Sequence, residues 1–338
     1  MNVKQIGISI LLFFITSYVI AQSEVEGFIR EGIAHHDAGD YTKALESYKK
    51  ALDLEPNSAM VNYEMALSYF SKGDYENAIK HSDIVLDQKG EFMLQAYMTK
   101  GSALDMQGKT KESIKLFEKA IKKTEEHYLL YFNLSINYVK IGDLKKAEKN
   151  IKRAIELNSN HTSSHFLLAS IEDQLSNTIQ SILALNYFLL LEPNSERSIK
   201  AHELLMKQFG GNVSVDKDKP NTINISLSPS KDSEFADTEL MLSILIASKL
   251  MDEKEDKTED EKFIENLKSL FLLLAEKEEK KKKEIWWTLY IPFFAELAES
   301  DHFELYCKYI TQSGNENSKK WLKENEAYLT DFINWLKK

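Results

Sequence analysis

YLLYFNLSINYVKIGDLKKAEKNIKRAIELNSNH, residues 128–161, is the stretch that decides the fold. Apolar residues recur at helical spacing on both sides of Gly142-Asp143, so the stretch reads as two short amphipathic helices joined by a glycine turn. The turn comes back along the chain. Gly39-Asp40, Gly73-Asp74, Gly108-Lys109 and Gly142-Asp143 are spaced by 34, 35 and 34 residues. In helical sequence, that period belongs to stacked helix pairs. Aligning on the glycines gives blocks 25–58, 59–92, 94–127 and 128–161, and a fifth, 162–195, in which Ser176 replaces the glycine. Leu54-Glu55-Pro56-Asn57-Ser58 closes the first block, and Leu191-Glu192-Pro193-Asn194-Ser195 closes the fifth at the corresponding place.

Small residues recur at the eighth place of each block: Gly32, Ala66, Gly101, Ser135 and Ala169. Ala44, Ala78 and Ala147 fill the twentieth place and Ala51, Ala120 and Ala154 the twenty-seventh, while Ser113, Ser181, Val85 and Phe188 depart from the pattern. Tyr69 and Tyr138 stand at the eleventh place, Tyr48 and Phe117 at the twenty-fourth. Small residues at fixed places let two helices cross at short range, and the larger residues fill the next layer. On these residues the chain resembles the tetratricopeptide repeat (TPR) family, of an exported bacterial type. The resemblance implies an all-α fold: a TPR α-solenoid of about five helix pairs plus a capping helix, spanning 24–209 and followed by a separate small α-helical domain.

After the fifth block, Ile199, Leu204, Leu205 and Phe209 give Glu196 to Phe209 the pattern of a capping helix. Residues 210–235, rich in Gly, Asn, Asp, Ser and Pro, read as a linker, with a short extended arm where Ile223, Ile225 and Leu227 alternate with polar residues. From 236 to 338 the repeat disappears. All four tryptophans, Trp286, Trp287, Trp321 and Trp335, lie here. Helical stripes run through Leu240, Ile244, Ala247 and Met251, then Phe263, Leu267, Leu270, Phe271 and Leu274, then Phe303, Tyr306, Cys307 and Ile310. Pro292 is expected to kink or start a helix.

Charge and targeting narrow the function. A net charge of −10 disfavours a nucleic-acid partner, since phosphate binding needs clustered Lys and Arg. The single lysine run, Lys280 to Lys283, is embedded in the mixed stretch Glu276 to Glu284 and reads as a solvated helix face. Residues 1–21 have the layout of a signal peptide: Lys4, an apolar run from Ile6 to Ile20, and small Ala21 before Gln22. Cleavage after Ala21 is expected, giving a periplasmic or secreted protein with no membrane span after cleavage. Ser9, Thr16 and Ser17 disfavour the rival reading of a retained anchor. With Cys307 the sole cysteine, no intramolecular disulfide forms, and its place among apolar neighbours makes it a buried hydrophobe.

No P-loop, dinucleotide fingerprint or Gly-x-Ser-x-Gly elbow occurs, so no catalytic residue and no cofactor is expected. His161 and His165 have a zinc-compatible spacing, but Thr162 stands where a zincin needs glutamate, and no metal is expected. The aromatic run Trp286, Trp287, Tyr290, Phe293 and Phe294 suits core packing better than a ligand site.

The resemblance further implies that the first helix of each pair lines a concave groove. The residues at those places are Ile29 and Ile33; Tyr63, Leu67 and Phe70; Met98 and Met106; Phe132, Ile136 and Val139; and Phe166. Asp105, Lys140 and Asp173 are the charged exceptions. Family members that clamp a carboxylate tail use Lys and Asn where Ile29 and Ile33 stand, so that partner class is disfavoured. An apolar groove suits an amphipathic helix or an extended hydrophobic segment, from a foreign protein or from this chain's own C-terminal region. The expected function is a non-enzymatic interaction scaffold of the bacterial envelope. The alternatives are a ligand-binding or catalytic C-terminal module positioned by the repeats, and a structural, self-associating envelope protein.

Overall fold

The computed structural model describes residues 22–209, 213–216, 222–226, 234–251, 257–277 and 283–337. The expected signal segment, Leu227 of the expected arm and most of the lysine run lie outside them. The chain divides into two compact units, Met1–Gly142 and Asp143–Lys338.

In the first unit, α1 covers residues 22–37 and is followed by α2 (Tyr41–Leu54), α3 (Ala59–Ser71), α4 (Tyr75–Gln88), α5 (Met93–Met106), α6 (Thr110–Lys123) and α7 (Tyr128–Lys140). Each helix packs on the next, and α5 also touches both α3 and α7. These alternate contacts are those of stacked hairpins.

The repeated turn has a plain cause. Gly39, Gly73, Gly108 and Gly142 all sit at φ between 77° and 84°, the left-handed conformation that ends a helix and that side chains resist. The residue after three of them caps the next helix: Asp40, Asp74 and Asp143 accept from the backbone N–H of Lys43, Asn77 and Lys146. Ser176, in the fifth block, adopts the same conformation at φ 59°.

Helix crossing explains the small residues. Ala44, Ala66, Ala78, Ala120, Ala147, Ala154 and Ala169 are fully buried. A methyl on Gly32 would lie 2.3 Å from Cε1 of Tyr48, and one on Gly101 would lie 2.2 Å from Cζ of Phe117. Each glycine therefore leaves the room that the aromatic twenty-fourth residue of its block occupies. The serine departures have their own logic: Ser113 donates to the carbonyl of Gly101 at 2.8 Å, and Ser181 to that of Ala169 at 2.9 Å. Twelve residues apart in both cases, the bond ties one helix of a pair to the other and satisfies a buried hydroxyl.

The second unit starts with α8 (Leu144–Leu157), α9 (Thr162–Gln174), α10 (Thr178–Leu191) and the capping helix α11 (Glu196–Gln208), which opens on a capping box at Ser195 and Ser198. Two short strands follow, β1 (Val213–Val215) and β2 (Ile223–Ile225), paired antiparallel with Val213 opposite Ile225. The expected extended arm is thus half of a hairpin. Then come α12 (Ala236–Met251), α13 (Glu259–Glu276), a π-helical turn (Trp286–Tyr290), α14 (Ile291–Glu299), α15 (Phe303–Thr311), α16 (Glu316–Glu324) and α17 (Glu326–Trp335). Pro292 lies at the start of α14 directly after the π turn, and its missing N–H removes one bond from the helical ladder there.

The division after Gly142 differs from the expected edges near 209 and 235. Its cause within the second unit is α10, which touches α9, α11, α12, the π turn and α15. From Ile179 to Asn186 this helix has no exposed residue, and Phe188, Leu189 and Leu190 are buried as well. Repeat five, its cap and the C-terminal helices therefore share one core.

Candidate interaction surface and the buried cluster of repeat five

Within the first unit, the expected groove residues fall into two groups. Ile29 is buried in the core of the first repeat with Val25, Leu45, Tyr48, Val61 and Met65, and Ile33 packs against that cluster. Ile29 is therefore corrected from surface to core. Ile29 packs against residues of α2 and α3, whereas Tyr63, Met98 and Phe132 at the same place in later blocks are only partly buried. Tyr63, Leu67, Phe70, Met98, Phe132, Ile136 and Val139 are half-buried, and Met106 is 55% exposed. They recur at matching turns of α3, α5 and α7, neighbours in the stack.

Some of these rings are pre-set by neighbours. Tyr63 stacks on Phe92 with centroids 5.4 Å apart, and Phe70 tilts against Tyr75 at 5.6 Å. A rigid aromatic loses little entropy when it is covered, which favours such residues as anchors. Burial pushes the Tyr63 hydroxyl above its usual range, so it stays neutral.

The charged exceptions are internally answered. Lys140 pairs with Asp105, which also accepts from Thr110 Oγ1 at 2.9 Å. In the second unit, Asp173 accepts from Gln208 Nε2 at 3.0 Å. Phe166 there lies 4.9 Å from Phe188, with the Arg197 guanidinium over both rings. The cation–π contact ties Phe166 to the cap.

In the aromatic run of the C-terminal region, Trp286, Tyr290 and Phe294 are core, while Trp287 and Phe293 are half-buried. Trp286, Tyr290 and Phe294 are at most 1% exposed. Tyr290 reaches the fifth repeat: its hydroxyl lies 2.6 Å from His165 Nδ1, and His165 Nε2 donates to the Ser159 carbonyl at 2.8 Å. With both ring nitrogens engaged, His165 is in no position to ligate a metal beside His161, whose own Nδ1 is 2.8 Å from Ser164 Oγ. Burial depresses the His165 pKa to about 4, so the ring is neutral and its Nδ1 accepts a hydrogen bond from the Tyr290 O–H. Tyr187 stacks on His165 at 4.5 Å, and Tyr306 donates to Asn186 Oδ1 at 2.8 Å.

Glu172 completes this buried cluster. It stands at the eleventh place of its block, where Tyr69 and Tyr138 stand in theirs. It is fully buried, one oxygen accepts from Asn177 Nδ2 at 2.7 Å, and the other has no partner. Burial, reinforced by Glu148, raises its pKa to about 7. Lys152 lies nearby, paired with Glu148 at 2.5 Å and 5.1 Å above the Trp286 ring.

Sequence reasoning missed this cluster. Two signals pointed to it: a glutamate at a place where no other block has a carboxylate, and α10, whose sequence TIQSILALNYFLLL is mostly apolar with no polar face and so demands cover on every side.

Comparison with known proteins agrees with the repeat. A TPR repeat model matches residues 32–73, and tetratricopeptide repeat models match residues 63–128 and 128–161. The photosystem I assembly protein Ycf3 of Prochlorococcus marinus is 34% identical over 123 residues, 33% of this chain and 71% of that protein. Its counterpart from another strain of the species is 34% identical over 112 residues, with 65% of its length spanned. The tetratricopeptide repeat-containing protein trd-1 of Caenorhabditis elegans is 24% identical over 168 residues, 48% of this chain and 21% of its own. Among solved structures, a thermophilic TPR protein of Thermus thermophilus aligns with 54% of this chain and 99% of itself, at 17% identity and a TM-score of 0.46.

Proposed function

Because the chain belongs to the tetratricopeptide repeat family, we propose that it is a non-enzymatic scaffold that holds an apolar segment of another polypeptide along α3, α5 and α7. One observation carries this reading. Tyr63, Leu67, Met98, Phe132 and Ile136 are apolar, incompletely buried and repeated on neighbouring helices, while the charges beside them, Asp105 and Lys140, neutralise each other. Such a strip offers a ladder of shallow apolar contacts and little net charge, which suits an amphipathic helix or an extended hydrophobic stretch. A relative named for an assembly role is in keeping with a scaffold.

A photo-crosslinking residue tests the strip. Placed at Leu67 or Ile136 in the cells that make the protein, it should capture a discrete polypeptide. Placed at the exposed Lys119 it should not. Equal capture from all three positions would remove the strip as the site.

We also propose export, supported by Lys4, the apolar run from Ile6 to Ile20 and Ala21. Protein sequencing of the native chain should then begin at Gln22, in the periplasm or the medium. A native chain that keeps residues 1–21 would overturn cleavage.

A further inference from the structure

Away from the groove strip, the second unit has a partly open pocket of about 220 Å³ between α11, α13, α15 and the start of α16. Met206, Phe263, Ile264 and Cys307 give it mostly apolar walls. An apolar hole of roughly 150 Å³ is already enough to take up benzene, so this space admits one ring and a short tail. A ligand with an apolar body gains by taking those walls out of water.

The charges that line the pocket are answered within the protein. Glu259 is exposed and pairs with Lys262 at 2.9 Å, and Asp260 accepts from Lys308 Nζ at 3.5 Å and from Asn315 Nδ2 at 2.7 Å. Thr311 donates its one hydroxyl proton to the Cys307 carbonyl at 2.8 Å, which leaves Ser318 as the donor in the 2.9 Å bond between the two hydroxyls. A charged ligand would therefore give up water without meeting a free counter-charge. His202, on the α11 wall, is the exception. Among the described residues, neither of its ring nitrogens has a hydrogen-bond partner, and packing seats the ring: a methyl on Gly314 would lie 2.4 Å from its Nδ1. Burial lowers the His202 pKa, so near neutral pH the ring is uncharged and offers one N–H donor and one bare acceptor nitrogen.

We propose that this pocket binds a small uncharged molecule with an apolar body and one hydroxyl group, the body against Met206, Phe263, Ile264 and Cys307 and the hydroxyl at His202. A hydroxyl both donates and accepts, so it can bond to the imidazole in either tautomer. An ammonium or a carboxylate on the same body loses affinity, because Asp260 and Lys308 already hold each other. The site is independent of the polypeptide strip in the first unit.

The test uses the full chain and four probes that share one body: phenethyl alcohol, ethylbenzene, phenethylamine and hydrocinnamate. Calorimetric titration should give saturable one-site binding of the alcohol, with the amine and the acid each weaker by about tenfold or more. His202→Phe keeps a ring in place and removes its nitrogens. It should weaken the alcohol by about fivefold, the share of one ordinary hydrogen bond, and leave ethylbenzene unchanged. Ile264→Trp and Met206→Phe, each filling the pocket from a different wall, should both abolish binding of the alcohol while circular dichroism stays helical. Should one of the two fail to fold, the other carries the comparison. The proposal is overturned by absence of saturable alcohol binding, by binding that survives in a folded filled variant, or by a charged analogue that binds as tightly as the alcohol. A folded His202→Phe variant that holds the alcohol as tightly as the parent, or that loses both uncharged probes alike, overturns it as well.

Discussion

At Gly101 the missing side chain is a packing requirement, since a methyl there would overlap the Phe117 ring, itself 1% exposed. Gly101→Ala would ordinarily favour a helix, so a loss of stability isolates the overlap. We expect a net loss of about 1–3 kcal/mol. Phe117→Leu added to it should recover part of that loss, read as a coupling in a double-mutant cycle by urea unfolding. Additive single effects would mean that the ring moves aside freely. Glu172 and His165 set a pH signature of opposite signs. Between about pH 4.5 and 7 the folded protein holds a proton on Glu172 that the unfolded chain has released, so this group lowers stability as pH rises. His165 acts in reverse. Between about pH 4 and 6.5 the unfolded chain takes up a proton that the buried ring refuses, so stability rises with pH. Glu172→Gln removes the first contribution alone. At about pH 8 the variant should exceed the parent by roughly 3 kcal/mol, and near pH 4 the gap should close, as measured by urea unfolding at both values. A gap independent of pH would show that Glu172 is not titrating in the fold.

At the scale of elements, the helix pairs of the repeats were legible because the signals are local. Gly142-Asp143 specifies a left-handed helix end and an N-cap within two residues, and the 34-residue period multiplies that signal. The strip residues Tyr63, Leu67, Phe132 and Ile136 followed from their places in the block. Ile29 did not fit, because it is buried against Leu45, Tyr48, Val61 and Met65, a packing contact between helices that its place in the block does not reveal. Strand β1 went unread: Val213-Ser214-Val215 is three residues long, and its pairing with Ile223–Ile225 is a contact across the chain that no local pattern announces. The π turn was half legible. Pro292 marked a break in the helix, but the wider turn before it also depends on buried Tyr290 having a partner to reach, and that partner, His165, belongs to repeat five. Long-range burial of this kind leaves only an indirect trace in sequence, here the lack of a polar face on α10.

For the whole molecule, the consequence is uneven tolerance to truncation. In the second unit, Tyr290, Tyr306 and the rings around them help cover α10, whose residues Ile182, Leu185 and Leu189 have no solvent exposure. A chain ending at Phe209 keeps every repeat and the cap, yet uncovers much of α10. Such a chain should bind a hydrophobic dye, aggregate at concentrations where the full chain stays monodisperse, and unfold at lower temperature. Light scattering and thermal denaturation check it. A truncated protein as soluble and as stable as the parent would show that the C-terminal helices are dispensable cover.

Repeat proteins ordinarily change length by duplicating or deleting a unit, because each copy presents its successor with the same interface. The wrapping of α10 removes that interchangeability at one end. A new copy inserted after residue 195 would have to offer Tyr290 a histidine and Tyr306 an asparagine at the right places, whereas a copy gained among the first blocks meets only its own kind. Gain and loss of units over evolutionary time should therefore concentrate before the fifth block, with the terminal copy inherited together with the helices that follow it.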